Sequence, residues 1–315
     1  MLANLFSVEL WERFSFYGMQ GILLYYMYFT VAEGGLGINQ SVATGLVGAY
    51  GGGVYLSTIL GGWIADRLLG SERVLFYSAI MIMCGHVSLA VLPGATGLAV
   101  GLVLVGIGSG GLKANATSLV GTLYEEGDDR RDAGFSIFYM GINIGALIGP
   151  LVTGWLQKSW GFHAGFAAAA VGMAFGLAQY ASTRRNLPEE AHHITNPLPK
   201  SKYATCGIVA IAAVSVTTIA FVTGLVTPSN LARVVAGLAI LAAVTYFAVL
   251  LTSHRVNNTE RRRVLSFIPL FIASAAFWGL VQQQFTVVAI YSEESLDRNF
   301  FGLFCCFRGW VMGAV

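Results

Sequence analysis

The sequence contains few charged residues. Only 11% of its 315 residues are Asp, Glu, Lys or Arg, whereas about a quarter of the residues in a soluble globular domain are charged. The sequence also has no basic patch with interleaved aromatic residues, the pattern that indicates nucleic-acid binding. These absences argue against a soluble domain and against a nucleic-acid partner.

Cysteine is scarce as well. Cys84 and Cys206 lie in apolar runs, and Cys305 and Cys306 are adjacent near the end of the chain. This spacing indicates neither a disulfide framework nor a zinc site. The apolar segments also lack a His, Cys or Asp cluster at the spacing of metal ligands or of a nucleophile and its base. We therefore expect no metal, no cofactor and no enzyme, and a polytopic membrane enzyme is a disfavoured alternative.

Apolar residues are abundant, at 56% of the chain, and they form nine segments long enough to cross a bilayer. Lipid offers no hydrogen-bond partner to open backbone, so such segments are expected to be helices. The sequence therefore predicts an all-α polytopic membrane protein that contacts the lipid bilayer. The nine segments are 4–31, 41–64, 74–92, 97–122, 134–157, 164–183, 203–227, 232–252 and 265–291.

Glycine repeats every four positions in three of these segments, a spacing that favours close packing of membrane helices. The repeats are Gly48 and Gly52, Gly106 and Gly110, and Gly141, Gly145 and Gly149.

Basic residues are distributed unequally between alternate loops, with twelve in one set and three in the other. Because cytoplasmic loops carry the excess of Lys and Arg, this distribution predicts a cytoplasmic N-terminus. The richer set contains Arg67, Arg73, Arg130, Arg131, Arg184, Arg185, Lys200, Lys202, Arg255, Arg261, Arg262 and Arg263, and the poorer set contains Lys158, Arg233 and Arg298.

The first segment carries three charged residues, Glu9, Glu12 and Arg13. A helix that begins with this segment puts Arg13 roughly 13 Å deep, near the midplane of a ~30 Å hydrocarbon layer. Glu9, Arg13, Tyr17 and Gln20 share one stripe of that helix, so the charges are expected to face the protein interior. This pattern fits either an ion pair that tethers neighbouring helices or a proton or substrate site.

Three separated motifs carry a family resemblance. Residues 61–67, Gly-Gly-Trp-Ile-Ala-Asp-Arg, followed by Gly70 and Arg73, resemble the loop motif of the major facilitator superfamily. Residues 9–18, Glu-x-x-Glu-Arg-Phe-x-Phe-Tyr-Gly, resemble the first-helix motif of the proton-dependent oligopeptide transporter (POT/PTR) family within that superfamily. Residues 135–145, Phe-Ser-Ile-Phe-Tyr-Met-Gly-Ile-Asn-Ile-Gly, resemble the fifth-helix signature of the same family.

This resemblance implies roles for individual residues. Glu9, Glu12 and Arg13 match positions that couple proton binding to gating, and Asp66 and Arg67 match the gating pair of the loop motif. Lys113 matches a buried lysine of the family's fourth helix, and we expect it to take part in proton coupling together with Glu9, Glu12 and Arg13. Arg13 and Lys113 are also expected to meet the carboxylate of a peptide. The remaining positions expected to contact substrate are Tyr17, Tyr55, Asn143, Trp278 and Gln282, although Tyr17, Tyr55 and Asn143 could equally be satisfied helix contacts.

Two positions depart from the family pattern. Gln282 stands where many relatives have an acid that pairs with the fourth-helix lysine, and Gln20 stands where some relatives have a second arginine. A neutral amide neither forms that ion pair nor takes up a proton as a carboxylate does. Coupling is therefore expected to depend mainly on Glu9 and Glu12.

The resemblance also implies an organisation of the chain. We expect an N-terminal six-helix bundle at 1–186, an inserted helix pair with cytoplasmic linkers at 187–263, the first helix of a second bundle at 264–302, and a non-native tail at 303–315. Because relatives continue through five more helices, the sequence reads as a truncated or frameshifted copy.

The function implied is proton-coupled import of di- and tripeptides across a bacterial plasma membrane by a monomer, with protons as the coupling ion. The alternatives are a non-transporting membrane remnant and a facilitator for another small solute.

Overall fold

The computed structural model describes residues 2–125 and 127–296, and its elements are helical throughout these ranges. Within them the nine predicted segments are all helices, which confirms the all-α class. The long helices are α1 (Leu2–Tyr28), α2 (Gln40–Ile64), α3 (Ser71–Val91), α4 (Gly94–Gly121), α5 (Arg130–Trp160), α6 (Phe162–Thr183), α8 (Tyr203–Val222), α9 (Leu231–Thr252) and α10 (Asn258–Gln282), with short helices α7 (Glu189–His192) and α11 (Val287–Glu294). The predicted tail at 303–315, with Cys305 and Cys306, lies outside the described residues.

The helix α10 differs most from its predicted bounds of 265–291. It begins at Asn258 because Asn257 and Glu260 form a capping box, with the Glu260 backbone N–H donating to Asn257 Oδ1 at 2.8 Å. The first turns of α10 are polar, so the prediction from hydropathy placed the start of this helix too late. The helix ends at Gln282, where a 3₁₀ turn over Gln283–Phe285 leads into α11.

Helix α1 is enclosed by the rest of the bundle, packing mainly against α5 and α6 and also against α2 and α4. The glycine row of α5 makes the closest of these contacts. A Cβ at Gly141 would lie 2.9 Å from the Phe6 ring, and Cβ atoms at Gly145 and Gly149 would overlap the carbonyl oxygens of Leu10 and Phe14. The backbones of α1 and α5 therefore touch, as the four-residue spacing predicted.

In the other two glycine repeats, some positions are closely packed and one is not. A Cβ at Gly110 would overlap Ser57, and one at Gly52 would lie 2.9 Å from Val235. Gly48, in contrast, has no atom within 4 Å of a would-be Cβ. The prediction that Gly48 serves close packing is wrong, because this part of α2 faces a cavity.

Seven helical stretches of the described residues are long and apolar enough to cross a membrane by length and composition. Helices α1 and α2 are not among them: α1 carries the charged residues Glu9, Glu12 and Arg13, and α2 is rich in glycine. Both have spanning length and pack within the same bundle. The chain is therefore a multi-pass membrane protein in which α1 is largely buried by its neighbours, whereas α2 is buried on one face only.

Helices α8 and α9 form a hairpin outside the bundle. Within the described residues, neither helix has a buried side chain, and α9 contacts the bundle chiefly through α2. In a bilayer such an apolar surface is covered by lipid, so it needs no protein partner.

The backbone contact between α1 and α5 can be tested with a matched glycine pair. We expect Gly145→Ala to lower the free energy of unfolding by about 1–3 kcal/mol, since the added methyl group must separate two backbones. Gly48→Ala, which meets open space, should be neutral or stabilising by up to about 1 kcal/mol through helix propensity. Thermal unfolding in detergent would measure both changes, and equal effects of the two variants would contradict the packing described.

Candidate functional site

Three charged side chains of α1 form a buried cluster. Arg13 Nη2 lies 2.6 Å from Glu9 Oε1, its Nε donates to the same oxygen at 2.7 Å, and its Nε lies 3.3 Å from Glu12 Oε2. Glu9, Glu12 and Arg13 are exposed by 1%, 0% and 8%. The four-residue spacing of Glu9 and Arg13 on one helix face produces this pair locally.

A residue of α4 completes the cluster. The Ser109 hydroxyl donates to Glu12 Oε1 at 3.1 Å, and both side chains are fully buried. The sequence prediction missed Ser109, although it lies four residues before Lys113 and therefore on the same face of α4. That spacing was the available signal.

Two carboxylate oxygens of the cluster have no hydrogen-bond donor in the described part of the chain. They are Glu9 Oε2 and Glu12 Oε2. Burying an ion without full compensation costs several kcal/mol, and a buried acceptor without a donor costs about 1–3 kcal/mol more. The cluster therefore destabilises the folded protein when both carboxylates are ionised, and protonation of one carboxylate would lower that cost.

Lys113 of α4 is held by aromatic rings rather than by a carboxylate. Its Nζ lies 4.1 Å from the centroid of the Phe16 ring and 5.4 Å from that of the Tyr55 ring. Among the described residues, no carboxylate lies within 4 Å of it. Cation–π contacts of this kind are worth about 0.5–2 kcal/mol, and they leave the hydrogen-bonding capacity of the ammonium group free.

A cavity of about 330 Å³ lies between α1, α2 and α10. It contains three of the predicted substrate positions, Tyr55, Trp278 and Gln282, together with Gln20. Tyr55 links this cavity to Lys113, because its ring also contacts the ammonium group. Its volume is at the lower end of the range for small-molecule sites.

Aromatic and polar contacts join the segment after α10 to the bundle next to this cavity. The rings of Tyr17 and Phe285 stack with centroids 6.0 Å apart, and Phe285 lines the cavity. Tyr25 donates to the backbone oxygen of Ala289 at 3.1 Å, and Gln40 Nε2 donates to Glu294 Oε1 at 2.7 Å. These contacts tie the segment after α10 to α1 and α2.

A larger cavity of about 610 Å³ lies between α2, α4 and the α8–α9 hairpin. Its lining is almost wholly apolar and includes no charged residue. It therefore lacks the groups that would orient a charged solute, and the smaller polar cavity is the better candidate.

Asn143 and the two predicted gating residues lie away from both the cavity and the charged cluster. Asn143 is exposed on α5, and its Nδ2 donates to the Tyr139 backbone oxygen at 3.0 Å. Asp66 and Arg67 lie on a π-helical turn, Ala65–Leu69, at the end of α2. Neither Asp66 nor Arg67 has an ion-pair partner within the described ranges. The ion pair across helix ends that the loop motif predicts is therefore not formed in these ranges.

Comparison with known proteins identifies related sequences along nearly the whole chain. The family model described as "PTR2: POT family" matches residues 72–306. The chain is 43% identical over 302 residues to the uncharacterized transporter YclF of Bacillus subtilis, covering 96% of this chain and 61% of that protein. It is 40% identical over 312 residues to a di-/tripeptide transporter of Lactococcus lactis subsp. lactis, covering 96% of this chain and 63% of the relative.

Solved structures show the same similarity. A crystal structure of a peptide transporter POT in complex with sulfate has a TM-score of 0.93 and 42% identity over 99% of this chain and 64% of that protein. A POT family transporter in complex with 5-aminolevulinic acid has a TM-score of 0.92 and 38% identity, covering 99% of this chain and 66% of that one. The chain spans about three fifths of the length of the curated relatives it matches. It therefore belongs to the POT family, whose members are membrane transporters rather than enzymes and need no bound cofactor.

Proposed function

We propose that this chain forms part of a proton-coupled symporter that imports di- and tripeptides. The observation that carries the proposal is the buried cluster of Glu9, Glu12 and Arg13, in which two carboxylate oxygens have no donor among the described residues. In an apolar interior, an ionised carboxylate that is incompletely paired is costly. A proton bound to either of these oxygens removes that buried negative charge. Intramembrane carboxylates paired with arginine are a common form of proton relay.

The proposed mechanism begins with protonation of Glu9 or Glu12 from outside. A neutral carboxyl group holds the guanidinium group of Arg13 less strongly, so Arg13 becomes available to the carboxylate of a peptide. Lys113, which faces aromatic rings, adds a second positive charge to that pocket. In this mechanism, both the proton and the peptide favour inward opening. Each can shift the equilibrium between the outward-open and inward-open conformations only because it binds one of them better than the other.

The cavity lining supports a peptide as substrate. Tyr55, Trp278, Gln20 and Gln282 offer hydroxyl, indole and amide groups, which suit the backbone of a short peptide. Several relatives are described as di-/tripeptide transporters. Asn143 on the exposed face of α5 is proposed to contact substrate when the second half of a full-length transporter faces it.

We further propose the division of the chain predicted from its sequence, into bundle 1–186, an inserted pair from residue 187 and a second-bundle segment, with the predicted boundary at 263/264 moved to Asn258, where α10 begins. The distribution of Lys and Arg supports a cytoplasmic N-terminus in a bacterial plasma membrane. The proposed transport unit is a monomer, because transporters of this kind form the substrate site between two halves of a single chain.

A second candidate function is transport of another small solute that carries both an amine and a carboxylate. A POT family transporter that is 38% identical to this chain was solved in complex with 5-aminolevulinic acid, and that observation favours this candidate. Competition between this compound and a dipeptide in the uptake assay below would separate the two candidates.

Neutralising the carboxylates tests proton coupling. We expect the double variant Glu9→Gln and Glu12→Gln to lose at least about tenfold of the dipeptide accumulation driven by a pH gradient, while exchange of labelled for unlabelled peptide stays within about threefold. Proteoliposomes with an imposed gradient, containing this chain or a form extended to the length of its relatives, provide the measurement. Asp132→Asn, which neutralises an exposed carboxylate in the first turn of α5, is the control, and undiminished accumulation in the double variant would refute the coupling site.

Lys113 can be tested with a pair of substrates. We expect Lys113→Gln to raise KM about tenfold for a dipeptide with a free carboxylate, because a charge-assisted contact contributes about 1.5–3 kcal/mol. The KM for the corresponding dipeptide amide should change less than about twofold in the same variant. Lys202→Gln, at an exposed position, is the control variant. Equal changes for the two substrates would show that Lys113 does not meet the carboxylate.

A further inference from the structure

The segment between the six-helix bundle and the hairpin is bound to the bundle rather than loose. Residues 187–198, here called the strap, include α7 and follow the 3₁₀ turn Arg184–Asn186 that ends α6. Its apolar side chains Leu187, Ala191 and Leu198 are only 6%, 1% and 6% exposed. A linker with buried side chains has a defined position on the surface to which it binds.

The strap lies on the turn that carries Asp66 and Arg67. The backbone N–H of Asn196 donates to the Asp66 carbonyl oxygen at 2.9 Å, and that of Leu198 donates to the Arg67 carbonyl oxygen at 2.9 Å. Carbonyl groups at the end of a helix have no partner within the helix. The strap therefore provides the donors that cap the end of α2.

Gly70 marks how closely the strap approaches. Its φ of +84° is readily adopted only by glycine, and a Cβ at this position would lie 3.1 Å from the carbonyl oxygen of His192. The turn and the strap are therefore in backbone contact both at the Asp66–Arg67 pair and at Gly70, which follows it.

A buried carboxylate joins the strap to the bundle. Glu72, in the first turn of α3, is 1% exposed. Its Oε1 lies 2.9 Å from Arg184 Nε, and its Oε2 lies 3.4 Å from His192 Nδ1. The guanidinium group of Arg184 also lies 3.9 Å from the centroid of the Phe76 ring. One side chain of α3 thus holds the end of α6 and the short helix α7 at the same time.

We propose that Glu72 is a positioning residue for the cytoplasmic gate: it anchors the strap, and the strap holds the Asp66–Arg67 turn in a fixed place. A buried carboxylate retained at a helix start needs compensation, and here one partner, Arg184, lies in the turn that precedes the strap and the other, His192, lies within the strap. The strap therefore joins α2, α3, α6 and the hairpin into one unit at this end of the bundle. The effect on transport rests on the proposed function, whereas the effect on the strap does not.

Hydrogen exchange tests the anchor without transport. In wild-type chain in detergent, the amides of Asn196 and Leu198 should exchange slowly. We expect Glu72→Gln to raise their exchange rates at least about tenfold while amides in the middle of α1 and α5 change less than about twofold. Asp132→Asn makes the same charge change in an exposed first turn at the same end of the bundle, and it should leave the strap unchanged.

His192→Ala is a second variant, which tests the same anchor if Glu72→Gln impairs folding. Its side chain is 38% exposed, so its loss is compatible with folding, and we expect about threefold faster exchange in the strap. Unchanged strap exchange in both variants would overturn the proposal. So would a uniform rise throughout the helices, since that result identifies Glu72 as a general stability residue.

A transport measurement then links the strap to gating. In proteoliposomes where the wild-type protein takes up dipeptide, Glu72→Gln should lower the maximal rate about fivefold and leave KM within about twofold. A raised KM with an unchanged maximal rate would contradict the gating role. If the wild-type protein transports no peptide, the proposed function fails, and the exchange result still decides whether Glu72 anchors the strap.

Discussion

Three ionisable groups on one and a half turns of α1 have to be kept away from lipid, and much of the bundle is arranged around that requirement. Lipid cannot hydrate a charge at this depth. Helices α5 and α6 cover two sides of α1, and α4 supplies the hydroxyl of Ser109 to Glu12. The glycine row of α5 allows two backbones to touch beside Arg13. The charged cluster is thus enclosed by protein on the sides that would otherwise face lipid.

Local patterns allowed much of this structure to be predicted. Apolar length located nine long helices of the described residues, and a four-residue spacing predicted both the Glu9–Arg13 pair and close packing at Gly145, although not its partner α1. Such features depend on residues within one or two turns of the same helix. The start of α10 was misplaced because its first turns are polar and its capping box has no hydropathy signal.

Contacts between distant parts of the chain could not be predicted in the same way. Ser109 reaches Glu12 across 97 residues, and Glu72 meets Arg184 and His192 from another helix. No periodicity in the sequence records which helix faces which. The family resemblance supplied the identity of Lys113 but not its aromatic surroundings, which depend on how α1, α2 and α4 meet.

The α8–α9 hairpin has a consequence for how this sequence can change over evolutionary time. Because no side chain of these two helices is buried in the described structure, most positions there have only to be apolar and compatible with a helix. A substitution of one aliphatic residue by another changes little in such a place, since lipid adapts its shape where a packed core does not. The hairpin is therefore free to diverge quickly in sequence while its length and hydrophobicity persist, and relatives should be harder to align there than along α1.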